Sequence, residues 1–131
     1  MDTKKITLQY GTIHEMIRPE GLLSNIFLKE YPATLALRLG MLQKELSPIY
    51  NNITEAVAEL YKKYASKSVD ANGIEKLVVL PINQKSFDDD VNKIMMQTVE
   101  VEFMPIMFAE IKNLSFTPLE IVSLQLAGLL A

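Results

Sequence analysis

The chain has no cysteine. That excludes disulfide staples, thiolate zinc sites and a cysteine nucleophile, and it fits a reducing compartment. Arginine is scarce too: Arg18 and Arg38 are the only two in 131 residues. The lysines are scattered and the formal net charge is −3. With no basic stripe to neutralise phosphates, nucleic acid is not an expected partner. His14 is the single histidine. A histidine-dependent triad would have to use it, and a metal site would have to be built from carboxylates. No Gly-rich phosphate loop, nucleophile elbow or zinc-ligand spacing occurs, so neither an enzyme nor a cofactor is expected. No run approaches the ~18 uninterrupted apolar residues of a membrane span. Met1-Asp2-Thr3-Lys4-Lys5 leads into alternation rather than an apolar block, unlike a signal peptide. The expectation is a protein of the cytoplasm.

What is present is apolar residue at helical spacing. The hydrophobic fraction is 49%, enough for one domain with a core of ordinary size. Between Ala33 and Ser66, Leu35, Leu39, Leu42, Leu46, Ile49, Ile53, Ala56 and Leu60 alternate spacings of four and three, and Tyr64 follows. That is a heptad seam on one long helix. At ~1.5 Å per residue the helix would be roughly 50 Å long. A domain of this size has a radius of gyration of only ~14 Å. A rod of that length predicts projection or pairing with another copy. Leu35, Leu39, Leu42, Leu46, Ile49 and Ile53 are therefore the expected oligomer interface, forming a homodimer or larger assembly. Pro32 suits the start of this helix. Gly40 and Pro48 weaken it, but the seam keeps phase across Pro48. The reading is one kinked helix, with two helices broken at Ser47-Pro48 as the alternative.

Around this rod the chain alternates between strand and helix signals. Lys5–Tyr10 places Ile6, Leu8 and Tyr10 on one face of a strand. Thr12 and Glu15 match a capping box for a short helix that stops at Pro19. Leu22–Leu28 has helical spacing. Ser66–Gly73 is polar and ends in the turn signal Asn72-Gly73. Ile74–Leu80 reads as a strand closed by Pro81. Ser86 then caps a helix with Asp88, Asp89 and Asp90 in its first turn and Phe87, Val91, Ile94 and Met95 on one face. Thr98–Phe103 is a strand, and Ile106–Leu114 a short helical turn. Thr117, Pro118 and Glu120 form a strong helix start, with Phe116 and Ile121 at the staple positions. The final helix, to about Leu130, is apolar most of the way round and is predicted to be buried.

Several clusters could carry chemistry, and each has a plainer use. His14 sits beside a capping box. Asp88, Asp89 and Asp90 point about 100° apart on a helix and cannot converge on one ion. Glu100 and Glu102 share a strand face, as acid–base pairs do and as exposed strands do. Met95, Met96, Met104 and Met107 could form an adaptable surface or fill the core. The single basic–aromatic cluster is Tyr61, Lys62, Lys63, Tyr64 and Lys67, at the end of the long helix. Tyr61, Lys62, Tyr64 and Lys67 are the candidate ligand or partner site, suited to an anionic aromatic group or an acidic loop. The plainer use is a helix end capped by cations.

The order of these parts resembles a known layout. The pattern Leu35-x3-Leu39-x2-Leu42-x3-Leu46, the turn Asn72-Gly73, Phe87-x3-Val91, Val99-Glu100-Val101-Glu102, Ile106 and Leu114-Ser115-x2-Pro118-Leu119 are similar to a family of unknown function encoded by tailed bacteriophages of Gram-positive hosts. The resemblance implies a phage origin, a place in the host cytoplasm and an accessory role, and it transfers no catalytic residue. The expected architecture is a single α+β domain. It has a long kinked helix, a shorter antiparallel helix, a buried C-terminal helix and a small, mainly antiparallel sheet of Lys5–Tyr10, Ile74–Leu80 and Thr98–Phe103. The expected function is assembly with itself, or with a phage or host protein, through the long helix. The alternative is an anti-defence protein that sequesters a nucleotide-like signal at an oligomer interface.

Overall fold

Leu35, Leu39, Leu42, Leu46 and Ile53 are all buried along one side of a single uninterrupted helix, α3 (Ala33–Tyr64). The computed structural model describes residues 3–130. Pro48 lies inside α3 without ending it, because it sits on the exposed side, away from the seam. The chain enters through β1 (Lys4–Gln9), α1 (Tyr10–Ile17) and α2 (Leu22–Phe27). After α3 come β2 (Ala65–Val69), β3 (Glu75–Val79), α4 (Pro81–Met95), β4 (Thr98–Phe103), α5 (Phe108–Ile111) and α6 (Pro118–Leu126). This is an α+β fold.

The seam is filled from within the chain, which corrects its assignment as an oligomer interface. Ile13 and Met16 of α1, Leu23 and Ile26 of α2, and Val101 and Phe103 of β4 join Leu35, Leu39, Leu42, Leu46 and Ile53 in one core, with Ile49 packed against it. Two short helices and a strand thus cover the stretch that α4 alone is too short to reach. Each fully buried leucine contributes roughly 1.5–3 kcal/mol by removal from water. That gain is realised in one copy, so these residues present no surface to a second.

The strands form two separate ribbons rather than one sheet. β1 pairs antiparallel with β4, with Ile6 opposite Val101 and Leu8 opposite Val99. β3 pairs instead with β2, with Ala65 opposite Val79 and Val69 opposite Glu75. The short connection decides this choice, because closing a few residues costs far less entropy than bringing β3 to strands distant in sequence. At the turn, Asp70 Oδ1 accepts from the amides of Asn72 (2.9 Å) and Ile74 (3.0 Å). Gly73 supplies the φ of +78° that the turn requires.

Two helix starts differ from expectation, at Thr12 and Ser86, and those at Pro32 and Thr117 agree. Thr12 lies within α1, which begins two residues earlier, directly from β1; the Tyr10 amide donates to Gln97 O at 2.8 Å. Ser86 lies within α4, whose first turn is set by Pro81, so the three aspartates are not in that turn. Pro32 occupies the N-cap of α3. At α6 the capping box forms as expected: Glu120 N donates to Thr117 Oγ1 at 3.2 Å, and Thr117 N donates to Glu120 Oε1 at 3.0 Å. Thr117→Ala should cost about 1 kcal/mol, read from the denaturant midpoint. Glu120 stays in place through its carboxylate, so an unchanged midpoint would show that the cap contributes nothing.

The last helix is shorter and barer than its composition suggests. Gly128, at φ +79°, turns the chain, and Leu129 N donates to Leu124 O while Gly128 N donates to Gln125 O. This closes α6 at Leu126 instead of Leu130. Leu124 is buried and Ile121 packs on the core, but Leu119, Val122 and Leu126 are 75%, 49% and 83% exposed.

Candidate functional site

The end of α3 brings the expected tip residues only partly together. Tyr61 and Tyr64 share a face, and both set their rings edge-on to Phe87 of α4, with centroids 6.1 and 6.3 Å away. Tyr61 Oη donates to Leu77 O at 2.5 Å, and Tyr64 Oη donates to Asp90 Oδ2 at 2.6 Å. That hydrogen bond to the Asp90 carboxylate, with some burial, pushes the Tyr64 hydroxyl above its ordinary range. Lys62 lies 3.6 Å from Glu59 and Lys63 lies over the Tyr64 ring, so both stay on the helix surface. Lys67 does not extend the tyrosine face, because it belongs to β2. The aromatic cluster clamps α4 and the β2–β3 ribbon to α3. Both hydroxyls are engaged, and the ammonium over the Tyr64 ring is that of the adjacent Lys63.

The other clusters also resolve into packing and pairing. His14 stacks on Tyr50 at 5.4 Å. Asp88 accepts from Gln84 and Asp90 from Tyr64, so neighbouring aspartates face different partners. Glu100 pairs with Lys5 at 3.7 Å. Among the described residues no group of acidic or histidine side chains is arranged to hold a metal ion. Met95 packs against the core, whereas Met96 lies exposed beside α1 and Met104 lies on another side of the molecule, at Arg38.

No family model, curated protein or solved structure matches this chain. The candidate sites therefore rest on geometry alone, and two remain.

The first is centred on Arg38, on the flank of α3 beside the seam. Arg38 Nη1 donates to Glu110 Oε1 at 2.8 Å and to Pro105 O at 3.3 Å, while Nη2 pairs with the other Glu110 oxygen. Glu110 also accepts from the Met107 amide at 3.1 Å, which fixes it at the start of α5. This forked pair ties α3 to the segment after β4. The Arg38 side chain is only 9% exposed, and its Nε has no acceptor among the described residues. Beside it opens a cleft of about 250 Å³. Met41, Leu42, Phe103 and Met104 form its apolar wall; Glu45, Glu102 and Thr3 stand at its polar side.

The second is the outer side of α6. Leu119, Val122 and Leu126 recur at spacings of three and four, an apolar stripe on one helix face. Clefts lie beside this ridge: Leu22 and Ser123 line two of them, one reaching Leu119 and the other Met16 and Leu126. The rim carries two ion pairs and one charge, Glu20, without an ion-pair partner among the described residues. Glu15 pairs with Arg18 at 3.2 Å, and Lys29 pairs with Glu120 at 2.8 Å. Burial would raise the Glu120 carboxyl, but the Lys29 ammonium and the Thr117 amide together hold it below its ordinary range.

Leu42, Glu102 and Met104 of the first site stand out in the sequence, each for a different reason, but nothing in the sequence joins them to Arg38. Arg38 and Glu110 are 72 residues apart, so no local pattern links them. The α6 residues are plain in the sequence, but apolarity all round a helix predicts burial on all sides and hides which face stays bare. No helix of the described residues is long and apolar enough to cross a membrane.

Proposed function

We propose that this chain is a non-enzymatic interaction protein that assembles with copies of itself through the outer face of α6. The observation that carries this reading is the exposed ridge of Leu119, Val122 and Leu126 lying next to clefts on the same face. A two-fold contact needs one patch to supply both knobs and holes, and this patch has both. Leucines this exposed and contiguous are characteristic of interaction surfaces. The resemblance to phage proteins supports a viral accessory role in the host cytoplasm. The nucleotide alternative draws support from neither region. The tip tyrosines are engaged with α4 and β3, and Arg38 is neutralised by Glu110.

Light scattering tests the proposal. The wild-type chain should be a dimer at micromolar concentration. Leu119→Lys with Leu126→Lys should give a monomer with an unchanged far-ultraviolet spectrum and an undiminished melting temperature at matched low concentration. A wild-type monomer throughout, or a double variant that still dimerises, would reject the α6 interface.

A further inference from the structure

Two ribbons of two strands leave four outer strand edges among the described residues. In an antiparallel pair, every second residue turns its amide and carbonyl away from the partner strand. The Tyr10 amide donates to Gln97 O at 2.8 Å and continues the β1–β4 register, so Leu8–Val99 and Ile6–Val101 are bonded pairs. Lys5 and Thr7 of β1, and Glu100 and Glu102 of β4, therefore direct their backbone groups outward. Likewise the Asp70 amide donates to Ile74 O at 3.0 Å, which leaves Lys67 of β2 and Leu77 of β3 facing outward. Such edges are templates for another strand, and the residue at the middle of each decides what it can meet. Joined antiparallel to a copy of itself with the most bonds, β4 sets Glu100 opposite Glu100. β2 sets Lys67 opposite Lys67. Like charges placed directly opposite destabilise a strand pair. On β3 the Leu77 carbonyl is already taken by Tyr61 Oη.

β1 has the neutral Thr7 at its middle, and no proline or bulge interrupts it. Lys5, Thr7 and Gln9 are exposed. We propose that β1 is a self-association edge, at which two copies join β1 to β1 antiparallel about Thr7 in one continuous sheet of order β4–β1–β1–β4. Thr7 then lies opposite Thr7 and Lys5 opposite Gln9, so no like charges are opposed. The two Thr7 amides donate to each other's carbonyls, and each Gln9 amide donates to the opposite Lys5 carbonyl. Cross-strand threonines are a favourable pair. On the core side the half-buried Ile6 of each copy meets Leu8 of the other. The two Lys5 residues stand four positions apart along the strands, roughly 14 Å, beyond the ~8 Å range of unscreened repulsion in physiological salt. The contact is separate from α6 and does not rest on it. It is one short strand against its copy, at the small end of interface sizes, so its Kd is roughly 0.1–1 mM, above the micromolar range of the α6 contact. Rising concentration therefore joins α6 dimers into larger assemblies.

The full chain carrying Leu119→Lys and Leu126→Lys isolates this contact from α6. In sedimentation equilibrium its weight-average mass should be that of a monomer at about 10 μM and at least about 25% higher at about 1 mM. Adding Thr7→Lys should hold it at the monomer mass throughout, because the new ammoniums face each other across the two-fold axis. Adding Thr7→Val should leave the association in place. Thr7 is exposed and its amide lies outside the β1–β4 ladder, so both variants should melt near their parent and confirm an intact fold. In the associated sample the Thr7 amide should exchange with deuterium about 2-fold or more slowly than in the dilute one. A monomer mass up to about 1 mM, association that survives Thr7→Lys, or a Thr7 amide exchanging equally fast in both samples would each overturn the β1 contact. A wild-type chain that is monomeric at about 10 μM would instead strike the α6 reading. The same rise in mass, and its loss with Thr7→Lys, would then be read in the wild-type background.

Discussion

Leu46→Ala should cost ~2–5 kcal/mol of stability, and the loss should not depend on protein concentration. Leu46 is fully buried at the middle of the seam, in the core that α1, α2 and β4 build against α3. Truncation removes three carbon atoms from close packing and leaves a cavity that the helix backbone cannot collapse to fill. The concentration test matters because the seam could equally stabilise a dimer if it faced another copy. In that case the gap in melting temperature between the two proteins would change with concentration, whereas an α6 dimer raises both alike. A seam filled from within gives a fixed gap. Thermal unfolding at two concentrations a hundredfold apart reads the difference. A loss under ~1 kcal/mol, or a gap that moves with dilution, would contradict the packing described for α3.

Gly21→Ala should be at least as damaging, for a different reason. Gly21 is buried in the turn between α1 and α2, where its amide donates to Arg18 O at 2.7 Å. Its φ of −76° and ψ of 165° are open to any residue, so conformational freedom is not the issue. The constraint is space. A Cβ on Gly21 would come within 2.7 Å of three backbone atoms, in Glu15 and Met16. Those atoms belong to α1 and cannot swing aside as a side chain would. The helix itself would have to move, carrying Ile13 and Met16 out of register with Leu23 and Ile26. The expected loss is more than ~3 kcal/mol, beyond ordinary overpacking. Soluble yield and a thermal melt would show it. A variant that melts within a few degrees of wild type would mean that the α1–α2 turn has slack.

How much was legible follows from how local each cause is. The seam of α3, the alternation of β1 and β4 and the capping box at Thr117 depend on residues within a few positions of one another, and each stands where expected. β2 is not legible in the sequence because Ala65, Ser66, Lys67 and Ser68 carry little strand preference and Val69 stands alone. They become a strand by pairing with β3 across a turn whose chemistry lies in Asp70 and Gly73. Pro81 marks the end of a strand in the sequence, and it is also the start of α4; proline suits both positions. The oligomeric seam failed on accounting. Two short helices of modest pattern strength turned out to cover what the longer, more obvious α4 did not. Arg38 could not be found locally, since its meaning depends on Glu110, brought to it by the return of the chain after β4.

The pairing of β1 with β4 also governs how fast the molecule can assemble. Thr3 and Glu102 are 99 residues apart, yet their side chains meet. Joining such remote strands must be preceded by an entropic search that grows with the logarithm of the enclosed length. The helices and the β2–β3 ribbon need no such search and can form within microseconds. The slow event is therefore the arrival of the first strand at the fourth. On a ribosome that event must wait until about four-fifths of the chain has been made, as the position of β4 at Thr98–Phe103 in 131 residues requires. Until then the apolar face of β1 lacks its partner strand, and the nascent protein is at its most vulnerable to aggregation.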